Sequence, residues 1–330
     1  MELTQNIKIW QQNVNKSRMC QHNLLSNNQL VREGINIIAL QEPAIDPQGY
    51  TLAAKDWMII YPSTTKNVPR AVTLIRANLS SDSWRQLDFP LADVTAIQIK
   101  GGWGKLTILN VYNDCGNDKT VRLLSEFHHR NRAELEQTVN GEAHILWLGD
   151  FNRHHPYWDD PNDIRLFTSE ATSTAEKLIE AVADAGLELA LPSGTPTHRH
   201  NITKKWSRLD QVFLSDHSKN KIITCDTQPD QWGINTDHLP ILTVMNLCAD
   251  TVEADEIPNF CEVDWGEFRK ELSIQLEKLL PATLIDSQTQ LDTSCASLTK
   301  AIQRTIDSQV PMMTIMSKSK RWWTKELTQL

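Results

Sequence analysis

Residues 143–159 read Ala-His-Ile-Leu-Trp-Leu-Gly-Asp-Phe-Asn-Arg-His-His-Pro-Tyr-Trp-Asp, and the first ten decide the kind of fold. Ile145-Leu146-Trp147-Leu148 is an apolar run of strand length, as expected of a strand covered on both faces. It delivers Gly149-Asp150-Phe151-Asn152 at its carboxyl end, the edge at which α/β sheets carry their chemistry. On an extended backbone Asp150 and Asn152 point to the same side, where both can meet one phosphate, one water or one metal ion. The competing reading is an ordinary turn, since Gly, Asp and Asn are turn formers. Other strand ends decide between the two.

Upstream, Ile7 to Val14 alternates apolar and polar residues like a half-buried strand and ends on Asn13 and Asn15. Lys16 to Arg32 has helical spacing and stops at Gly34. Ile35 to Leu40 is a β-branched strand that runs into Gln41-Glu42-Pro43. Trp57 to Tyr61, Arg70 to Arg76, Asp93 to Lys100 and Lys105 to Tyr112 are further strand candidates, separated by turn-forming clusters. Lys119 to Val139 is expected to be a helix crossing over to the Ile145 strand.

Downstream, Thr174 to Ala185 repeats the helical pattern and stops at Gly186. A turn at Ser193 to Thr197 leads into a basic segment, His198 to Arg208. Leu209 to Leu214 is a strand carrying Asp210, Ile222 to Asp226 is another, and Thr236-Asp237-His238-Leu239-Pro240 precedes a strand from Ile241 to Met245. Beyond Asp250 an acidic, turn-rich stretch gives way to helical patterns over Asp264 to Leu280 and Leu291 to Ile306. The expected organisation is a domain over residues 1–250 and a linker with a helical segment over residues 251–330.

The 330 residues are 40% hydrophobic and 22% charged, enough for one large domain and an appendage. No run approaches the roughly 20 apolar residues of a membrane span, and the amino terminus lacks a signal-peptide pattern. The six cysteines form no CxxC pair, so neither a zinc site nor a disulfide framework is indicated. The expected setting is a reducing one, nuclear or cytoplasmic. A net charge of −8 excludes coating of nucleic acid by bulk electrostatics, but not an enzyme with a local basic groove. Surplus carboxylates are also what a site for a hard divalent cation needs.

Five strand ends or adjoining turns thus carry one chemical type: Asn13, Glu42, Asp150 with Asn152, Asp210, and Asp237 with His238. Any one of them is more often a capped turn; the ordered set is the argument. Gln12-Asn13-Val14-Asn15, Leu40-Gln41-Glu42-Pro43, Asn110-Val111-Tyr112, Gly149-Asp150-Phe151-Asn152, Ser207-Arg208-Leu209-Asp210 and Thr236 to Pro240 together resemble the endonuclease/exonuclease/phosphatase superfamily over residues 7 to about 247. Within it, Gly149 to Trp158 and Pro196-Thr197-His198 resemble the apurinic-type endonuclease of LINE-type (non-LTR) retrotransposons. Arg321 to Leu327 resembles the segment between that endonuclease and a reverse transcriptase. One departure matters: repair enzymes of the superfamily commonly have Asp where Asn15 stands, so their metal environment and repair role do not transfer wholesale.

The resemblance implies a two-sheet, four-layer α/β sandwich with a C-terminal helical appendage, and hydrolysis of a phosphodiester bond in DNA with Mg²⁺, Mn²⁺ being a possible substitute. In that reading Glu42 holds the ion with Asn13 and Asp237 close by. Asp150 and Asn152 orient or deprotonate the attacking water. His238, oriented by Asp210, stabilises the phosphate or moves a proton, and Tyr112 donates a hydrogen bond. The segment matching the basic stretch is a hairpin that reaches a DNA groove, which makes Arg199, Lys204, Lys205, Trp206 and Arg208 the expected DNA contacts. Expected partners are DNA and a reverse transcriptase domain or element RNA, the chain being a fragment whose polymerase is missing. His154 and His155 lack partners at zinc spacing. Two other classes compete: a superfamily phosphatase acting on a non-DNA substrate such as a lipid or inositol phosphate, and a non-catalytic nucleic-acid-binding remnant.

Overall fold

The apolar run at 145–148 lies in the middle of a longer strand, and the chain around it alternates strands with short helices. A computed structural model describes residues 6–26, 29–64, 67–248, 256–278 and 287–314. First come β1 (Asn6–Asn13), α1 (Arg18–Ser26), α2 (Gln29–Arg32), β2 (Ile37–Gln41), β3 (Trp57–Ile60), β4 (Ala71–Arg76) and β5 (Trp84–Leu87). Next are β6 (Val94–Gly101), β7 (Gly104–Tyr112), α3 (Lys119–Arg130), α4 (Arg132–Glu136) and β8 (Glu142–Asp150). They are followed by α5 (Ser169–Asp184), β9 (Leu187–Leu189), β10 (His198–Arg199), β11 (Trp206–Ser207), β12 (Asp210–Ser215), α6 (Asp216–Lys219), β13 (Ile222–Thr227) and β14 (Ile241–Cys248).

These strands form two six-stranded sheets, ordered β13-β14-β1-β2-β4-β3 and β5-β6-β7-β8-β12-β9, with β10 and β11 as a separate hairpin. Both sheets are mixed. β1 runs parallel to β2 and β7 parallel to β8, the second pair joined by α3 and α4, while the other pairs are antiparallel.

Side-chain alternation sets the layers. From β8, Leu146 and Leu148 join Ile9, Ile37, Ile108 and Met245 in the core between the sheets. Ile145 and Trp147 turn the other way and pack with Leu124, Phe127 and Leu178 of α3 and α5. From β1, Trp10 packs outward with Cys20, Leu25 and Leu30 of α1 and α2. The result is helix, sheet, sheet, helix, the expected four-layer sandwich. Each fully buried Leu or Ile contributes on the order of 1.5–3 kcal/mol, so β8, apolar on both faces, anchors two layers at once.

Where the fold departs from expectation, the causes are local. The helix expected over 119–139 breaks at Asn131, whose backbone N–H and Nδ2 both donate to the Phe127 carbonyl, a side-chain bond that favours a helix end over a helix interior. Of the helix expected over 16–32, α1 covers Arg18–Ser26 and α2 covers Gln29–Arg32, residues 27 and 28 lying outside the described residues. β5 and β9 were not anticipated. Both are short strands at the ends of their sheet, held by one neighbour each rather than by their own pattern. Among the described residues no helix is long and apolar enough to cross a membrane.

The chain divides into two compact units, parting between Thr251 and Val252. In the second, β15 (Glu256–Pro258) pairs antiparallel with β16 (Met312–Thr314), and α7 (Trp265–Glu277) packs on α8 (Gln288–Gln309). Asp264 and Ser287 cap the two helices with their side-chain oxygens.

Candidate active site

The antiparallel register of β8 and β12 sets Asp150 directly opposite Asp210, both 1% exposed. They point into the space between the sheets, in line with Leu148 and Val212 but at its open edge. From the other sheet β1 brings Asn13, whose Nδ2 donates to Asp150 Oδ2 at 2.8 Å. The turn before β14 brings His238, whose Nδ1 donates to Asp210 Oδ2 at 2.8 Å. Its Nε2 lies 4.0 Å from Asp150 Oδ2 and 3.8 Å from Asp237 Oδ1, beyond hydrogen-bond length from either. The three groups Asp150, Asp210 and His238 thus form one buried cluster assembled from both sheets.

Each member is held in place by neighbours. Thr197 Oγ1 accepts from the backbone N–H groups of Leu209 and Asp210. Thr236 Oγ1 donates to the Asn13 carbonyl and accepts from His238 N–H, tying the histidine turn to β1. Beneath the site, Gln41 Nε2 donates to Asn110 Oδ1 at 2.6 Å, and Asn110 Nδ2 donates to the Val72 carbonyl. That buried bridge fixes one sheet against the other and accounts for the Asn110 motif.

Asn152 is not extended, as the spacing argument required: it sits at φ +49°, the chain turning sharply out of β8. Its backbone N–H donates to Asp150 Oδ1 and its Nδ2 to the Asn113 carbonyl. It therefore fixes Asp150 rather than standing beside it. Asn13 is similarly committed, because its Oδ1 already accepts from Asn15 N–H and only one lone pair remains for a cation.

Burial pushes the Asp150 carboxyl up to about 7, Asp210 opposite adding to the rise and the His238 charge opposing it. For His238 burial disfavours the charge, but Asp210, Asp150 and Asp237 outweigh it and raise the imidazole to about 9. Asp237 is half-buried, yet His198 and His238 more than offset desolvation and hold it below the usual carboxylate range. Tyr112 stands beside Asp150 on β7. Burial, then the negative charges of Glu42 and Asp150, raise its phenol, which keeps it a proton-bearing donor. Arg70 lies 4.8 Å over its ring.

Glu42 lies apart from this cluster, at φ +44°, with its carboxylate 3.1 Å from Lys16 Nζ. Asn15 and Lys16 also have positive φ, so three strained non-glycine residues converge here, the kind of strain that collects at functional sites. Among the described residues two acid and imidazole groupings are tight enough to share an ion, Asp150/Asp210/His238 and His198/Asp237/His238, and both include His238, whose raised pKa favours the protonated imidazole over a ligand. A hard cation instead suits Glu42 and the ionised Asp237, oxygen donors at the mouth. The Glu42 carboxylate is paired with the exposed Lys16 ammonium.

The basic segment forms the hairpin β10–β11. Trp206 is 39% exposed, lies 5.7 Å under the Arg199 guanidinium, and packs against Trp232 with ring centroids 5.4 Å apart. Lys204 and Lys205 are exposed. Arg208 is a correction: it is 1% exposed, and its guanidinium donates to the carbonyls of Trp158, Leu191 and Pro192. It locks the loops beneath the hairpin and cannot reach a phosphate. His154 and His155 are likewise structural, converging on Asp159 Oδ2. Sequence reasoning passed over Asn15, Thr197, His198, Asn113 and Asn201 as site residues. The first three stand inside motifs already singled out, Asn113 directly follows Asn110-Val111-Tyr112, and Asn201 lies within the basic segment, where its neighbours' charge and not the amide drew notice.

Two mixed sheets enclosing this cluster define an α/β sandwich of the endonuclease/exonuclease/phosphatase type. Within that class the chain resembles the endonuclease domain of non-LTR retrotransposons, and residues 106–242 match the endonuclease-reverse transcriptase family. The endonuclease domain of TRAS1, a telomere-specific non-LTR retrotransposon, is similar in structure, with 13% identity, a TM-score of 0.56, and 73% of this chain and 99% of that one covered. The AP endonuclease LMAP from Leishmania major gives 14% identity and a TM-score of 0.60 over 74% of this chain and 89% of that one. The 3′ phosphatase NExo from Neisseria, bound to a product DNA hairpin, gives 17% and 0.54 over 72% and 99%. No curated protein sequence matches the chain.

Proposed function

We propose that this protein is a divalent-metal-dependent endonuclease that hydrolyses a phosphodiester bond in DNA, of the kind that nicks a retrotransposon target site. The observation that carries the reading is the buried Asp150–His238–Asp210 cluster, in which the Asp150 carboxyl and the His238 imidazole are both raised above their ordinary values and His238 Nδ1 is held 2.8 Å from Asp210 Oδ2. Groups tuned in this way are what general acid–base chemistry requires.

Asp150, held at both oxygens by Asn13 and Asn152, takes the proton of the attacking water. His238, kept protonated by Asp210, directs Nε2 at the charge growing on the phosphate. Tyr112 donates its phenolic hydrogen to a phosphate oxygen. Glu42 and Asp237, with Asn13 beside them, would hold Mg²⁺ or Mn²⁺, which when bound neutralises charge on the phosphate and the leaving oxygen. Arg199, Lys204, Lys205 and Trp206 supply local attraction and stacking for DNA on an otherwise acidic protein. The family that matches residues 106–242 also supports a reverse transcriptase domain, or element RNA, as partner in the parent element.

The test is nicking of supercoiled plasmid by the full chain with Mg²⁺, set against phosphate release from small monoesters. Nicking abolished by chelation supports the reading. Phosphate release without nicking replaces it with a phosphatase, and binding without either leaves the non-catalytic remnant.

A further inference from the structure

Asp237 is held from two sides by asparagines of different elements. Asn15, in the loop after β1, donates Nδ2 to Oδ1 at 3.1 Å, and Asn201, in the turn of the β10–β11 hairpin, donates Nδ2 to Oδ2 at 2.9 Å. Each asparagine sits on an arm that carries exposed cations. Lys16 and Arg18 follow Asn15 and, with Lys119, line a cleft of about 820 Å³ beside Glu42. The exposed Lys204 and Lys205 and the half-buried Arg199 flank Asn201 on the hairpin. The backbone reinforces the hairpin side: Arg199 N–H donates to the Asp237 carbonyl at 2.8 Å, Leu239 N–H to the Thr197 carbonyl at 2.7 Å, and His198 bridges His238.

We propose that Asn15 and Asn201 act as positioning residues, an amide clamp that couples DNA contact on the two cationic arms to the placement of Asp237. The inference rests on the nuclease reading and extends it: the arms set the rate of cleavage as well as affinity. An amide N–H can do this and a carboxylate cannot. An aspartate at position 15 or 201 is an acceptor alone and repels the Asp237 carboxylate, which gives the Asn at position 15 a physical purpose. A donor hydrogen-bonded to a carboxylate oxygen moves that oxygen when its own backbone shifts, and misplacement by about 1 Å at a reacting centre costs on the order of 10²-fold in rate.

The full chain is compared with its Asn201→Ala, Asn15→Asp and Asn201→Asp variants. Hydrogen exchange is followed at residues 197–207 and 236–239, with and without a ~30-base-pair duplex in the presence of chelator, where no cleavage occurs. In the parent the duplex should slow exchange in both segments. In Asn201→Ala it should slow the hairpin alone. With Mg²⁺ restored, single-turnover nicking at saturating enzyme should fall at least ~10-fold in the variants, the aspartates more than alanine, while duplex affinity of Asn201→Ala, which changes no charge, stays within about twofold. DNA-dependent protection of 236–239 that survives in Asn201→Ala, or a loss of affinity that accounts for the whole loss of rate, overturns the clamp. Absence of hairpin protection in the parent overturns the DNA reading, and the clamp with it.

Discussion

At Asp150 stability and chemistry pull in opposite directions. Its pKa in the folded chain, about 7, stands above the ordinary 3.8, so the folded state binds this proton more tightly than the unfolded one. The stabilisation is complete below the ordinary carboxylate range and is lost as pH rises through 7. His238 slopes the same way: raised from 6.5 to about 9, it contributes fully below 6.5 and loses its contribution as pH climbs through 9. Asp150→Asn removes the buried ionisation. It should raise the melting temperature at pH 8 by ~3 °C, with the difference closing at pH 5, while lowering nicking 10²-fold or more. An equal melting shift at both pH values would show that the gain is packing, not charge. The same two groups set a bell-shaped pH profile for nicking, rising through about 7 as Asp150 ionises and falling through about 9 as His238 loses its proton. Glu42→Ala should abolish nicking with the fold intact, since its partner Lys16 is exposed; activity within tenfold of the parent would remove it from the site. Residues at strand exits were legible in the chain because strand polarity alone places them at one edge. Asn152 misled because a period-2 argument ends where the strand ends, and φ +49° is invisible in the sequence.

The hairpin separates roles that composition lumps together. Lys204 and Lys205 are exposed, whereas Arg208 is walled in by carbonyls. Replacing both lysines by alanine should therefore weaken duplex binding and flatten its salt dependence by about one unit of slope per lost phosphate contact. Arg208→Ala should leave that slope unchanged and lower stability by more than ~1 kcal/mol, because three carbonyls lose their donor. Salt titrations and thermal melts of both variants check this; a shallower slope for Arg208→Ala would return it to the DNA-binding face. Trp206→Ala, which breaks the contact with Trp232, should redistribute nick positions on a sequenced duplex. The basic character of the element was plain from its letters. Which basic residue faces inward was not, because that depends on Trp158, Leu191 and Pro192, brought there by the fold from 16 to 50 positions away. β5 and β9 were illegible for the same reason, being strands by virtue of a neighbour.

For the whole molecule the question is which part of the chain stands alone. β14 closes the first sheet by pairing with β1 and β13, and its far end is pinned where Trp103 Nε1 donates to the Cys248 carbonyl at 2.6 Å. The three apolar clusters draw their members from Ile7 to Leu247, and every group of the candidate site falls within the same span. The second unit has its own helix caps and its own strand pair. We therefore expect a chain ending at Asp250 to fold with an undiminished melting transition and to nick plasmid within about twofold of the full chain, residues 251–330 serving as a segment toward a partner domain. Circular dichroism melts and plasmid nicking on the two lengths decide it. A truncated chain that melts early or loses nicking would mean that the helices after Val252 complete the nuclease unit.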